Sequence, residues 1–483
     1  MDISMTVHDC CARGANDSKG KYDLAIIGAG SAGFSAAITA AEQGARVAFI
    51  GHGTIGGTCV NIGCVPSKTL IRVMESLHHV RTASRFTGIQ ADGNVQDWRA
   101  VVRQKDELVS MLRQTKYIDL LPAYDTVTYL DGQARLVDEG IAVNGNLVRA
   151  GKVIIATGAS PSVPPIPGMD SVPYLTSTTA LELESLPESL LVIGGGYVGC
   201  ELGQMFARAG VKVTIVCRSR LLPGAEPEIG VALTRYLEAE GVAVRCGLTY
   251  GAIERDPDGV ALSAVANGVT EVVKAGQVLI ATGRRPNTAG LGLEEAGIDL
   301  LSNGGIKVDA RMRTTKSGVY AAGDVTGRDE FVYMAAYGAR IAAENALNDD
   351  TERYDATVMP AVVFTDPQLA SVGLTETVAR ERGFEVRISA LPLEYLPRAL
   401  AARDTRGLIK LVAEAETGKL LGAHILAPEG ADSIQTAAMA IKCGLTVEQL
   451  SEMIFPYLTT VEGLKLAAQA FAKDVAKLSC CAG

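Results

Sequence analysis

The sequence predicts an α/β chain built from tandem Rossmann-like dinucleotide-binding domains and closed by a C-terminal α+β domain. Three observations carry this expectation. An apolar run from Tyr22 ends in the glycine pattern GxGxxG at Gly28, Gly30 and Gly33. A second apolar run from Leu190 ends in the same pattern at Gly194, Gly196 and Gly199. From about Tyr354 no such loop recurs, and short apolar runs give way to helical stretches.

Taken in order, residues 1–20 are polar and without apolar periodicity, and read as a flexible tail. The strand at Tyr22, an alanine-rich helix and a second strand at Arg46–Ile50 make a βαβ unit of about 30 residues, the context the glycine fingerprint requires. Val153–Gly158 and Val278–Gly283 each read Ala-Thr-Gly after a strand and close the two units. The tract Pro161–Pro173, with five prolines, reads as the linker into the second unit. Phe331–Leu347 is expected to be helical, Ala361–Thr365, Leu408–Val412 and Leu420–Leu426 to be strands, and Gly430–Lys477 to be helices. The expected domains are 21–165 and 288–353 for the first dinucleotide unit, 166–287 inserted as the second, and 354–483 as an interface module.

Composition narrows the function. The 483 residues carry 45 Lys+Arg against 54 Asp+Glu, a net charge of −9. With no basic block, nucleic acid and anionic membranes are not expected partners. No apolar run reaches the roughly 18 residues of a membrane helix. The first twenty residues have no apolar core of a secretory signal, so a cytoplasmic protein with reduced thiols is expected. Against that background ten cysteines and five histidines stand out. Cys10–Cys11, Cys59–Cys64 and Cys480–Cys481 are close pairs, whereas Cys200, Cys217, Cys246 and Cys443 are isolated and read as small core residues.

Each fingerprint places backbone amides at a helix N-terminus, where a pyrophosphate binds; glycines serving helix–strand packing alone are the competing reading. At the end of the second strand an acid usually holds the ribose hydroxyls. In the second unit Cys217 takes that place, followed by Arg218 and Arg220, which favours a 2′-phosphate and hence NADPH; solvated surface arginines are the alternative. In the first unit the same place is Gly51.

Twenty-eight residues beyond the first glycine, Gly56–Lys68 reads GGTCVNIGCVPSK. Cys59 and Cys64 would be separated by a rise of about 7.5 Å in a regular helix, beyond the roughly 6.8 Å Cα limit of a disulfide. They can therefore bond only across a distorted turn, for which Gly63 and Pro66 are candidates. A cysteine pair beside a dinucleotide loop reads as a redox-active dithiol.

This segment resembles the active-site motif of the flavin-dependent disulfide oxidoreductases, the class I pyridine nucleotide-disulfide family that includes glutathione reductase and dihydrolipoamide dehydrogenase. Ala281–Asn287, Ala321–Asp324 and Phe364–Gly373 are also similar to family signatures, and the likeness covers residues 21–483. It implies FAD at Gly28, Gly30, Gly33, Gly57, Thr58, Lys68, Thr157, Gly158 and Asp324. It implies NADPH at Gly194, Gly196, Tyr197, Gly199, Arg218, Arg220 and Gly283. Cys64 would be the flavin-facing thiolate, Cys59 the interchange thiol, Lys68 the partner of Glu201, and Tyr197 the gate of the nicotinamide pocket.

The C-terminus separates branches of that family. Members that reduce small disulfides carry HPxxxE, whose histidine is the acid–base catalyst across a dimer. Here the segment is Phe455–Thr460, with Phe for His and Thr for Glu. Phe455 cannot move a proton. The tail instead carries Cys480–Cys481. Their Cα atoms, about 3.80 Å apart across a trans peptide, are too close for an ordinary disulfide, but the pair suits a soft metal. Both departures resemble the branch that reduces Hg(II) delivered as a thiol complex. In that branch the terminal pair of one subunit loads the Cys59/Cys64 pair of the other, past tyrosines matching Tyr117 and Tyr457. The implied assembly is a homodimer. The rival expectations are a disulfide reductase such as dihydrolipoamide dehydrogenase, and a metal-sequestering flavoprotein without turnover. The tail at Cys10–Cys11 takes the place of the N-terminal metal-binding domain found in many members of the branch, and reads as incidental.

Overall fold

The structure, a computed structural model, describes residues 22–474. Cys10, Cys11, Cys480 and Cys481 lie outside the described residues.

The strand Tyr22–Ile27 is buried on both faces from Leu24 onward, as its apolar run requires of a central parallel strand. It pairs in parallel with Val47–Gly51 on one side and Ala150–Ile155 on the other. Val127–Asp131 and Val319–Ala321 complete this five-stranded sheet at its two edges. The chain thus leaves the first sheet after residue 155 and returns to it at 319. The helix Ser31–Glu42 packs on Val332–Leu347 through small residues: Ala32, Ala36 and Ala40 of the first share a core with Ala335, Ala339 and Ala343 of the second.

Between those passages stands a second parallel sheet, in the order Ala243–Arg245, Lys212–Val216, Ser189–Ile193, Gln277–Ile280. Its fingerprint helix is Tyr197–Arg208. An antiparallel meander, Thr249–Asp256, Gly259–Ala266 and Val269–Ala275, lies between its last two strands in sequence. The expected proline linker is structured at its start: Ala159–Pro161 pairs with Arg284–Pro286, so outgoing and returning chains form one two-stranded ribbon.

Beyond residue 354 the expected strands at 361, 408 and 420 form, joined by two that the apolar pattern did not single out, Gln368–Gly373 and Val386–Pro392. The helical expectation from Gly430 resolves into Gly430–Lys442, Val447–Glu452 and Glu462–Gln469, broken at Gly444 (φ +65°) and by the segment around Pro456.

Two buried ion clusters clamp this domain to the second sheet. Lys410 Nζ lies 3.0 Å from carboxylate oxygens of Glu226, Glu228 and Glu376. Arg208 reaches Glu240 at 2.7 Å and Asp366 at 2.8 Å, and Arg406 joins the same acids at 3.3 and 3.1 Å.

Candidate active site

Both phosphate loops combine packing with open space. Gly28 (φ +119°) and Gly194 (φ +124°) could not carry a side chain, because a Cβ would lie 2.2 Å from the carbonyl oxygens of Ala156 and Ala281 respectively. A Cβ on Gly33 or Gly199 would strike the carbonyl of the first glycine. These four therefore do serve packing. Gly196 does not: its φ is −83°, and a Cβ there would meet no atom within 4 Å. A glycine cradle at a helix N-terminus without a side-chain cap suits an anion. In the first loop Gly30 likewise leaves the helix uncapped. It faces Gly57 (φ +67°), whose Cβ would lie 2.5 Å from Gly30 Cα. That backbone contact seats the cysteine segment on the phosphate loop.

The cysteine segment is two helices, Gly57–Ile62 and Cys64–Arg81, broken at Gly63 (φ −126°, ψ −111°). The break brings Cys59 and Cys64 into side-chain hydrogen bonding. Gly63 alone makes the distortion. Pro66, which also seemed a candidate for it, sits in the first turn of the second helix, where a missing N–H leaves no bond unmade. The Cys64 thiol is pulled down to about 7, mainly by the hydrogen bond from Cys59 and then by the Lys68 charge, against burial and Glu201. Cys59 is pushed up by the same hydrogen bond and by burial. One turn along the helix from Cys64, Lys68 Nζ lies 2.6 Å from Glu201 Oε2. The other oxygen, Oε1, accepts the Phe364 amide at 2.8 Å, and the Phe364 ring centroid is 5.1 Å from the ammonium.

Aromatic rings surround this centre. Tyr117 lies on a π-helical turn, Gln114–Ile118, its ring edge-on to Phe34 at 4.8 Å. Its hydroxyl hydrogen-bonds Ser31 at the phosphate loop, and the charges of Cys59 and Cys64 act on it. Tyr197, 39% exposed, leans on Phe331 at 6.0 Å. Phe331 stacks on Tyr333 at 5.3 Å. The Tyr333 hydroxyl donates to the Pro360 carbonyl, and its phenol feels Cys64. The sequence reading passed over Phe331 and Tyr333. Their signal was an aromatic pair two residues apart at the mouth of a helix, just after the Asp324 segment.

Other candidates fall as follows. The Ala-Thr-Gly turns are pinned: Asn287 Nδ2 donates to the Thr157 carbonyl at 2.9 Å, Asn287 N to that of Gly158 at 2.9 Å, and Thr282 Oγ1 to that of Ser162 at 2.8 Å, next to Gly283 (φ +102°). Asp324 stands 4.0 Å from Arg284, with its carboxyl pushed up by burial. Thr58 closes the cysteine turn, since its carbonyl lies 2.9 Å from where a Gly63 Cβ would be. Arg220 spends its guanidinium on the carbonyls of Leu222, Pro223 and Ala225, whereas Arg218 is exposed. Gly51 is explained by Tyr129, whose hydroxyl lies 2.5 Å from the place of a Gly51 Cβ. Phe455 packs against the C-terminal core, and Thr460 Oγ1 bonds Glu429 at 3.2 Å. Tyr457 is 58% exposed. The four cysteines read as core divide: Cys200 and Cys217 are buried, Cys246 and Cys443 exposed.

The chain is similar to known proteins over most of its length. Residues 22–342 match the pyridine nucleotide-disulphide oxidoreductase family, and residues 359–468 its dimerisation domain. A mercuric reductase of Staphylococcus aureus is 48% identical over 466 residues, covering 96% of this chain and 85% of that one. A mercuric reductase of Streptomyces lividans is 48% identical over 471 residues, covering 96% and 98%. Among solved structures, the Cu(II) complex of the HOCl-induced flavoprotein disulfide reductase RclA from Escherichia coli superposes with a TM-score of 0.82 at 33% identity, covering 93% of this chain and 99% of that one. With the cysteine turn, both glycine loops and the Lys68–Glu201 pair in place, the chain belongs to the pyridine nucleotide-disulphide oxidoreductase family.

Proposed function

We propose that this protein is an NADPH-dependent flavoenzyme that reduces Hg(II) to Hg(0). The observation that carries the proposal is the Cys59–Cys64 pair. Two soft thiols in mutual contact, one held near neutral pKa, lie against the first phosphate loop. The chain around them is 48% identical to curated mercuric reductases.

The residues fit FAD. The uncapped Gly30 helix end and the bare Gly28–Gly33 backbone suit its pyrophosphate, and the partly buried Asp324 carboxylate suits hydroxyls of its ribityl chain. Tyr129, whose hydroxyl fills the space a side chain at position 51 would take, would be the residue to meet the adenosine ribose. Bound FAD supplies two-electron transfer between the nicotinamide and the thiol site. Gly194, Gly196 and Gly199 seat the nicotinamide dinucleotide, Arg218 is the cation left for its 2′-phosphate, and Tyr197 covers the approach to Glu201.

The chain's own chemistry follows from charge. The hydrogen bond from Cys59 and then the Lys68 charge favour the Cys64 thiolate near neutral pH, and Cys59 completes a two-sulfur site for a soft metal. Glu201 holds the Lys68 ammonium in place. Tyr117 lies close enough to the pair for both sulfurs to act on its phenol. Because Phe455 cannot shuttle protons, turnover that needs no acid–base histidine, namely metal reduction, suits this site better than dithiol exchange. Cys480 and Cys481 would bind the incoming metal and hand it to Cys59 and Cys64 of the other subunit past Tyr457; the matched dimerisation domain supports a homodimer. Among the described residues no helix is long and apolar enough to cross a membrane, and a cytoplasmic location fits thiols that must stay reduced.

The deciding assay follows NADPH absorbance and volatile mercury with Hg(II) in excess thiol. Hg-dependent oxidation with release of Hg(0) is expected. Fast turnover of a small disulfide in its place, or stoichiometric Hg(II) binding without NADPH oxidation, would overturn the proposal.

A further inference from the structure

Cys217 and Cys246 are 29 residues apart in sequence, yet their sulfurs lie 3.1 Å apart. The parallel register explains it. Val216 pairs with Arg245 at the C-terminal ends of Lys212–Val216 and Ala243–Arg245, so the next residue on each strand is a cysteine. Neighbouring strands run about 4.8 Å apart, within the Cα window of roughly 4.4–6.8 Å for a disulfide. Backbone bonds hold the spacing: Cys217 N donates to the Arg245 carbonyl at 2.9 Å, Leu248 N to that of Cys217 at 3.1 Å, and Gly247 N to that of Ser219 at 2.9 Å.

The two thiols are unequal. Cys217 is buried, its Sγ 3.2 Å from where a Cβ on Gly195 would stand, inside the second glycine fingerprint. Cys246 is exposed. Both lie beyond the carboxyl ends of parallel strands, the side on which such sheets bind dinucleotides.

We propose that Cys217 and Cys246 form a second redox-active dithiol, at the edge of the nucleotide site, which closes to a disulfide by exchange with small-molecule disulfides and is shielded by bound nucleotide. The shielding rests on the proposed NADPH function of this domain. The Cys246 thiolate attacks one sulfur of RSSR, forming Cys246–S–SR and releasing RS⁻. Cys217 gives up its proton to that leaving thiolate and attacks Cys246 Sγ, releasing a second RS⁻, which takes a proton from solvent. Two protein thiols are oxidised and one RSSR becomes two RSH. The order follows from exposure and from acidity: the hydrogen bond from Cys217 holds the Cys246 thiol down at about 7, while Cys217 is pushed up by the same bond and by burial.

The test treats the holoenzyme with oxidised glutathione, blocks free thiols and maps peptides, so that the Cys59–Cys64 pair is scored separately. A Cys217–Cys246 linked peptide is expected. Cys217→Ser should trap a glutathione adduct on Cys246, at least tenfold faster than Cys246→Ser acquires one on Cys217. Saturating NADP⁺, which supplies no electrons, should slow the wild-type reaction at least fivefold. Absence of the linked peptide, equal reactivity of the two single variants, or no slowing by NADP⁺ would each overturn the proposal. Peptide mapping does not depend on Hg(II) turnover, so failure of the proposed enzyme activity would be seen separately.

Discussion

Lys68 and Glu201, 133 residues apart, meet at 2.6 Å on facing helices, Cys64–Arg81 and Tyr197–Arg208. The Glu201 side chain is only 6% exposed, and its second oxygen is taken by the Phe364 amide. The ammonium is thereby fixed one turn from Cys64. Lys68→Met removes the charge that favours the thiolate, so the Cys64 pKa should rise above its value of about 7. Thiolate absorbance of the reduced protein, titrated with pH, checks this; an unchanged midpoint would mean that Lys68 does not act on Cys64.

The reduced pair should react asymmetrically with pH. Cys64 lies below its ordinary value and Cys59 above it. Thiolate increases as pH passes upward through the pKa, so alkylation at Cys64 should climb between roughly pH 6 and 8 and then level, since one pH unit either side spans most of a titration. Cys59 should remain slow throughout that range. Mass-spectrometric quantification of both sites after a brief pulse of iodoacetamide reads the two rates.

Two glycine substitutions separate packing from ligand space. Gly57→Ala forces a Cβ to 2.5 Å from Gly30 Cα at φ +67° and should displace the cysteine segment, lowering the flavin content of purified protein. Gly196→Ala meets no protein atom. It should leave stability within about 0.5 kcal/mol, as expected where no packing changes, while raising KM for NADPH at least tenfold. Melting curves, flavin-to-protein ratios and NADPH titrations distinguish the two.

Lys410→Met would strand the Glu226 carboxylate, itself 1% exposed, without its cation. Removal of one partner of a buried pair costs about 3–5 kcal/mol, so a clear fall in unfolding free energy is expected. Adding Glu226→Gln removes the stranded charge and should recover part of the loss. Denaturant unfolding of the wild type, the single variant and the double variant measures both changes.

Cys480→Ala with Cys481→Ala should slow turnover of Hg(II) held by bulky thiols while leaving the flavin spectrum intact. Steady-state rates with small and large thiol ligands make the comparison. Equal slowing with every ligand, or none with any, would count against a delivery role.

Much of this site could be read from local chemistry. A glycine that must adopt positive φ and two cysteines five residues apart each state their constraint within a dozen residues, whereas Phe455 carries meaning only beside the histidine that the family resemblance implies at its place. The chain order of βαβ elements and the second fingerprint helix follow from equally local periodicity. Strands Gln368–Gly373 and Val386–Pro392 escaped notice because their apolar alternation is interrupted by polar residues that the fold buries, such as Gln368 and Ser389. Phe331 and Tyr333 escaped because their value lies in which distant groups they face.

The sequence by itself therefore determined the two glycine loops and the Cys59–Cys64 pair, since each depends on residue type and short spacing, and with the family resemblance it marked Phe455 as standing in a histidine's place. Tertiary structure alone decided that Gly63 breaks the helix between the cysteines, that Arg220 is consumed by backbone carbonyls, that Tyr129 takes the space beside Gly51, and that Cys217 faces Cys246. The first two rest on backbone geometry within five residues, which apolar periodicity does not encode; the last two hang on strand register between segments tens of residues apart. A parallel register set by many buried apolar side chains placed two unremarkable cysteines 3.1 Å from each other.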